Sequence, residues 1–240
     1  MGEHAAGNRD GTRPAMDRRA FLIGSAGAGL ILPVAALAPP AFAALPSGVP
    51  DSGKLSFHVL RKGQHIGEHS VRFDVDGDNL TVRTEVRITV KVGPVPVYKY
   101  SQTCTEKWSG RQLQSVDVNT ASNVSRETVS ARRTPDGMRI QPAGGDAYTA
   151  PADTHPMTHW NRFSHQSATA FNPQDGKLLK QTLVGRQADS VKLADGSAIS
   201  ATRWTVTGDG VMDDYYDAQG VWAGLHAKVQ DGSFVDYLRV

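Results

Sequence analysis

Leu80-Thr81-Val82-Arg83-Thr84-Glu85-Val86-Arg87-Ile88-Thr89-Val90-Lys91-Val92 is the stretch on which the fold turns. Every even position except Thr84 is apolar, and every odd position is polar or charged. A period of two is the mark of a strand with one face in a core and the other in water. At about 3.3 Å per residue, Asn79–Val92 would span roughly 45 Å. Strands of that length twist, and they suit a curved sheet or barrel wall better than a small flat sheet.

Tyr98–Trp108 is the strand that answers it. Its even positions are Tyr98, Tyr100, Gln102, Cys104, Glu106 and Trp108, and its odd positions are Lys99, Ser101, Thr103, Thr105 and Lys107. The aromatic side should face inward, and it takes Gln102 and Glu106 with it. A carboxylate there needs a partner, a wet cavity or a raised pKa. With Gly93–Val97 as the loop, the pairing sets Tyr100 opposite Val90 and Glu106 opposite Thr84. A one-residue slip would turn the aromatic side outward. The Gly93-Pro94-Val95-Pro96-Val97 loop reads as a stiff turn that protects the sheet edge. The alternative reading of its exposed valines is a lid or a lipid-facing lip.

Outside this pair, turns carry the reading. Asp76-Gly77-Asp78-Asn79, Ser109-Gly110-Arg111 and Thr134-Pro135-Asp136-Gly137 separate hairpin strands from residue 54 to 140. Asp195-Gly196, Gly208-Asp209-Gly210, Ala218-Gln219-Gly220 and Asp231-Gly232 recur at roughly 10–12 residue spacing in 177–240. Between the two meanders, 141–176 reads as loop plus one short helix, His155–Phe163, with Pro156 in its first turn. Lys177–Gly185 and Asp189–Leu193 read as separate strands. The expectation is an all-β, strongly curved antiparallel meander sheet, a barrel or half-barrel of about 10–12 strands, forming one domain over residues 54–240. No internal repeat is visible.

The first 43 residues read as an address. Asp17-Arg18-Arg19-Ala20-Phe21-Leu22 is similar to the twin-arginine export motif, a Gly/Ala-rich apolar run follows, and Ala41-Phe42-Ala43 is a small-residue cleavage site. Cleavage is expected after Ala43, with translation starting at Met1 or Met16, and with a periplasmic destination. The apolar run is too short and too interrupted to span a bilayer, so no stable membrane span is expected after cleavage. Residues 44–53 read as a Pro/Gly/Ser linker.

Charge is balanced, with 26 Lys and Arg against 24 Asp and Glu, which argues against a nucleic-acid partner. Cys104 is the only cysteine, so no intrachain disulfide is available and the core must suffice alone. On the inward face, Cys104 is expected to be an inert small hydrophobe.

Several landmarks together resemble the DUF6134 family of exported bacterial proteins of unknown function. They are Gly63-x-x-Ile66-Gly67, Tyr98-x-Tyr100, Glu106-Lys107-Trp108, His159-Trp160-Asn161, Tyr216-Asp217-x-x-Gly220-x-Trp222 and Val235-x-Tyr237. More remotely the chain is similar to DUF3108-type and lipoprotein-carrier-like proteins, whose fold is a curved antiparallel sheet around an apolar cavity. The resemblance implies a periplasmic β-fold and carries over no catalytic residue.

Candidate chemistry is sparse. His155 and His159 stand four apart with His165 beyond, a spacing that shares a metal on a helix, but the acidic residue of the zinc-peptidase motif is missing after His155. His58, His65 and His69 are read as surface residues. Asp209, Asp213, Asp214 and Asp217 do not match calcium-loop spacing and are read as turn residues. A lone Glu106 cannot run two-carboxylate glycoside chemistry, and no catalytic residue, metal or cofactor is assigned. The leading expectation is a binding module in which Val82, Val86, Ile88, Tyr100, Gln102 and Trp108 line a cavity for an apolar small molecule or lipid, oriented by Glu106. The alternatives are a structural protein that binds a periplasmic partner protein along its sheet edge, and a metal-dependent enzyme using His155 and His159.

Overall fold

The computed structural model describes residues 44–229 and 231–240. The leader, with Arg18, Arg19 and the cut after Ala43, lies outside the described residues. The strands are β1 (Lys54–Arg61), β2 (Gln64–Asp76), β3 (Asn79–Val92), β4 (Val95–Ser109), β5 (Gln112–Ser122), β6 (Arg126–Thr134), β7 (Gly137–Gln141), β8 (Tyr148–Ala150), β9 (His155–Pro156), β10 (Thr169–Phe171), β11 (Leu178–Lys192), β12 (Ala198–Gly208), β13 (Met212–Tyr216), β14 (Trp222–Lys228) and β15 (Phe234–Arg239). They form one 15-stranded sheet in the order 8-7-6-5-4-3-2-1-15-14-13-12-11-10-9. It is antiparallel except where the two-residue β9 runs parallel to β10. The two meanders are therefore not separate. The first and last strands pair, Phe57 opposite Arg239 and Val59 opposite Tyr237, and weld them into one wall. The sheet is barrel-like but not closed, because β8 and β9 at its two ends do not pair. Among the described residues no helix is long and apolar enough to cross a membrane.

The alternation in β3 and β4 places the core as expected. Leu80, Val82, Thr84 and Val86 are buried on β3, and Gln102, Cys104, Glu106 and Trp108 on β4, while the intervening Arg83, Arg87, Ser101, Thr103 and Lys107 are exposed. The register differs from the expected one by two residues: Tyr100 lies opposite Ile88 and Glu106 opposite Val82. The reason is the connection. Gly93, at φ +57°, and Pro94 alone make the turn, Val92 pairs directly with Val95, and an irregularity between Val90 and Lys91 absorbs one residue. A shift of two preserves the faces, so both strands still look into the same interior.

Other boundaries moved for local reasons. The expected strands at 177–185 and 189–193 are one strand, β11, because a bulge between Leu183 and Gly185 bends it without ending it. With β7, β8, β9 and β10 added, the count exceeds 10–12. His155–Phe163 is not a helix. A 3-10 helix begins later, at Arg162–Gln166, capped by Asn161, whose side chain accepts the Phe163 N–H. Residues 44–53 are not a free linker: Leu45 and Val49 pack on the core, and Gly48, at φ +102°, lies so near the Trp160 carbonyl that a Cβ would come within 2.5 Å of it.

One cluster of buried side chains draws on both halves of the sheet and on residues 154–167, with Phe57, Val82, Trp108, Trp160, Phe171, Trp204, Tyr216 and Trp222 among its members; Phe73 and Trp108 pack edge-on against Trp160. Burying a large apolar side chain contributes about 1.5–3 kcal/mol. That cluster is the core in place of any disulfide, and Cys104 is buried within it as a free thiol whose pKa burial pushes well up.

Candidate functional site

The segment 154–167 leads from β9 to β10 at one end of the sheet and reaches into the interior, where two buried carboxylates hold it. Glu106 of β4 is 1% exposed. Its Oε1 accepts from the Thr158 hydroxyl (2.9 Å) and the Trp160 indole N–H (2.9 Å), and its Oε2 from the Trp108 indole N–H (3.1 Å). Burial pushes its carboxyl up to about 7, against the downward pull of the bonds from Trp160, Thr158 and Trp108. Asp214 of β13 is wholly buried. Its Oδ1 accepts from the Trp222 indole (2.9 Å) and its Oδ2 from His159 Nδ1–H (2.9 Å). His165 Nε2 lies 2.9 Å from the same Oδ2 and 3.0 Å from the Tyr216 hydroxyl. Tyr216 gives its own proton to the His159 carbonyl (2.7 Å), so His165 Nε2–H is the donor to both. Burial would raise the Asp214 carboxyl, but the charge and hydrogen bond of His159, then those of His165, outweigh it and hold the group ionised, well below the usual range.

The two anchors share a plan. Each carboxylate takes one indole N–H from its own half of the sheet and two donors from that segment. The consequence falls on His159, the residue between them. Its backbone is left-handed, at φ +66°, a conformation uncommon for a residue with a side chain and frequent at functional sites. Its Nδ1 is committed to Asp214. Its ring stacks on Trp222, centroids 5.4 Å apart. Its Nε2 has no protein partner and is not among the buried unpartnered atoms, and the residue lines a pocket.

That pocket has a volume of about 280 Å³. Its floor is β2, β3 and β4: His69 opposite Val86, Val86 opposite Gln102, and Thr84 beside them. Ile88, Tyr98 and Tyr100 form the wall toward the β3–β4 tip, Met157, Thr158 and His159 the roof, and Tyr237 the far side. Two floor groups are buried with no hydrogen-bond partner at all, both ring nitrogens of His69 and the hydroxyl of Thr84. A neutral imidazole with neither nitrogen satisfied is an uncommon feature in a folded interior. Burial first, and the neighbouring His159 second, hold the His69 imidazole down at about 3, so it is neutral and offers one donor and one acceptor. Burial and then Asp214 push the Tyr237 phenol up to about 12. Larger hollows of about 740 and 730 Å³ lie along Val49–Ser56 and along Gln64–Gly67, but no lining residue of either holds a buried unpartnered polar atom.

Of the residues expected to line a cavity, Val86, Ile88, Tyr100 and Gln102 do so. Val82, Glu106 and Trp108 do not, because Trp160 and Thr158 fill the space in front of them; Trp108 and Trp160 pack edge to face at 5.6 Å. Glu106 therefore positions the roof rather than a ligand. His69 is not a surface residue but the floor, and Asp214 is not a turn residue but the second anchor. Both were marked by parity: His69 shares its face with Val71 and Phe73, and Asp214 with Met212 and Tyr216.

His155 and His159 belong to no common grouping of three metal-ligating side chains among the described residues. His155 stacks flat on Trp108, centroids 5.4 Å apart, and burial holds its imidazole down at about 4. Among the described residues, the groupings of three whose ligand atoms lie within 4.8 Å of one another are His159, His165 and Asp214, and the more exposed His58, His65 and Glu68. In the first, two imidazole N–H groups already satisfy the carboxylate, and a metal would require both protons to leave.

Comparison with known proteins agrees with the fold. A family model described as "Domain of unknown function (DUF6134)" matches residues 57–240. No curated protein matches the chain. Among solved structures it is similar to the crystal structure of a β-barrel-like protein of domain of unknown function DUF1849 from Brucella abortus, with a TM-score of 0.56 and 9% identity over 78% of this chain and 94% of that one.

Proposed function

The chain belongs to the DUF6134 family, and we propose that it is a non-catalytic, exported binding module whose pocket between β2–β4 and the 157–159 roof takes a small, mostly apolar molecule with one polar group. The observation that carries this is the pocket itself, an apolar hollow of about 280 Å³ with the left-handed His159 in its lining. His69 and Thr84 lie beneath it as buried groups without partners, each costing about 1–3 kcal/mol. Walls of Val86, Ile88, Tyr98, Tyr100 and Met157 suit the apolar remainder, and pockets for small molecules combine such walls with a few placed polar groups. The volume is at the small end for ligand sites, which favours a compact molecule over a whole lipid. Val92, Val95, Val97 and Tyr98 stand exposed at the β3–β4 tip, and Tyr98 also lines the pocket, giving it an apolar lip. The twin-arginine-like Arg18-Arg19 and the cleavage site at Ala43 support a periplasmic location for the mature chain.

Extraction of the purified protein into organic solvent, followed by mass spectrometry, tests the reading. A stoichiometric small molecule lost on His69→Phe supports it, and an empty protein that also ignores a library of small apolar probes refutes it. Recruitment of a partner protein along a sheet edge is the second reading, favoured by β11, which pairs with β10 only over Leu178–Lys180 and so leaves the side of Thr182–Lys192 away from β12 without a strand.

A further inference from the structure

We propose that the outer face of the β1–β2 hairpin is a divalent transition-metal site, with His58, His65 and Glu68 as its protein ligands and Zn²⁺ as an ion that fits them. Regular strands would not bring the three together. His58 stands directly opposite Glu68, so the two share a face. Their chain neighbours Phe57, Val59 and His69 are buried, so that face is the outward one, away from the pocket. His65 is three residues from Glu68 and by alternation would point inward. The register shifts at this point: Val59 lies opposite Gly67 but Leu60 opposite His65, which leaves Ile66 as an extra residue on β2. The bulge turns His65 over onto the face of His58 and Glu68, the re-aiming that bulges provide beside functional sites. His65 Nε2 then lies 2.9 Å from Glu68 Oε1, and His58 Nε2 3.8 Å from the same oxygen. The two rings approach with centroids 4.8 Å apart. Ligand atoms about 2.1 Å from a tetrahedral ion stand roughly 3.4 Å from one another. The two measured separations bracket that figure, so small rotations of the side chains seat the ion. Two imidazole nitrogens with one carboxylate suit zinc and its transition-metal neighbours, whereas calcium and magnesium take oxygen ligands. The side chains of His58, His65 and Glu68 are 41, 51 and 55% exposed, so a proton displaced by the ion passes to water. The buried His159–His165–Asp214 cluster is the contrast, because there the protons are what satisfy the carboxylate. A hollow of about 730 Å³ opens beside His65 and Glu68 and leaves room for water to complete the coordination. Three protein ligands do not close a structural site, so the fold does not depend on the ion. Held this loosely at the surface, the ion leaves on desalting and has to be supplied.

The test uses the untagged mature protein, stripped with chelator and desalted, and Zn²⁺ alone as the probe. Competition against a metal-sensitive dye should find one zinc per chain, and equal concentrations of Ca²⁺ or Mg²⁺ should not displace it. In ¹H–¹⁵N spectra of the imidazoles, the signals of His58 and His65 should move on adding zinc, and those of His159 and His165 should stay. His58→Ala, His65→Ala and Glu68→Gln should each weaken zinc at least about tenfold, Glu68→Gln without a change of shape. If a variant does not fold, the wild-type spectra decide: movement at His58 and His65 supports the proposal, and its absence overturns it. Zinc that binds all three variants as tightly as wild type, signals that move only at His159 and His165, or no binding below millimolar zinc each overturns the site and leaves the pocket reading untouched.

Discussion

Replacing Glu106 by Gln should invert part of the protein's response to pH, and the size of the effect follows from the site. Glu106 is 1% exposed and meets three donors and no cation. Its carboxyl titrates at about 7 in the folded protein against 4.5 ordinarily. The sign is that of a group which holds its proton more tightly when folded. It favours the folded state fully below pH 4.5, and that contribution is lost as pH rises through about 7. At about 1.4 kcal/mol per pH unit, the span is worth roughly 3 kcal/mol. Gln keeps the shape and an oxygen for Thr158 and Trp160, but it turns an NH2 toward the Trp108 indole N–H. That mismatch costs about 1–3 kcal/mol at every pH.

The absolute profile of the wild type is not the observable, because two histidines act in the opposite sense. His69 and His155, held at about 3 and about 4 against 6.5, contribute stability above pH 6.5 that is lost as pH falls toward those values. The difference between wild type and Glu106→Gln cancels both. Urea unfolding followed by tryptophan fluorescence from pH 4 to pH 9 should show the variant less stable than wild type in acid. The gap should then swing in the variant's favour by roughly 3 kcal/mol as pH passes 7. A difference that stays constant across this range would refute the placement of Glu106 as a buried, cation-free carboxylate.

Thr84→Val keeps the shape and removes an unpartnered buried hydroxyl. It should raise stability by about 1 kcal/mol, or Tm by roughly 2–4 °C in calorimetry. Asp214→Asn strands the donors His159 and His165, leaving Trp222 partly satisfied by the Gly224 carbonyl. It should cost about 3–5 kcal/mol in denaturant unfolding. Gly48→Ala puts a Cβ within 2.5 Å of the Trp160 carbonyl at a positive φ and should destabilise by roughly 1–3 kcal/mol, whereas a free linker would not notice it. Elemental analysis of protein refolded without chelator should find no stoichiometric zinc, because the His159–His165–Asp214 cluster is satisfied by its own hydrogen bonds.

The wall of this protein was legible because strands announce themselves by parity. The inward face of β3 and β4, the buried Glu106 and the all-β class follow from alternation alone, and the two-residue error in register left every face correct. What parity also offered, and residue type obscured, were His69 and Asp214. A histidine between a surface hairpin's charges and an aspartate in a run of four look solvated, yet each sits in phase with the apolar residues of its strand. A polar residue in phase with a core is more informative than one out of phase, since it must be partnered or left orphaned at a cost. Here one is each: Asp214 takes a donor on every side, and His69 takes none.

The segment held by the carboxylates was not legible, and the reason is physical. Residues 154–167 have no period, because a two-residue strand, an irregular stretch and a 3-10 turn follow one another there; Pro156 and the expected helical spacing misled by suggesting a start where β9 lies. An aperiodic chain inside a barrel-like sheet cannot be positioned by apolar contact alone, since such contact is non-directional. Directional bonds must place it, and they come from the two buried carboxylates, one on each half of the sheet. Apolar residues in their stead could be as stable or more so, but they would not fix the left-handed turn at His159. The carboxylates and the strained histidine are thus one arrangement, in which an irregular segment is held against a regular wall at the distance of a small molecule.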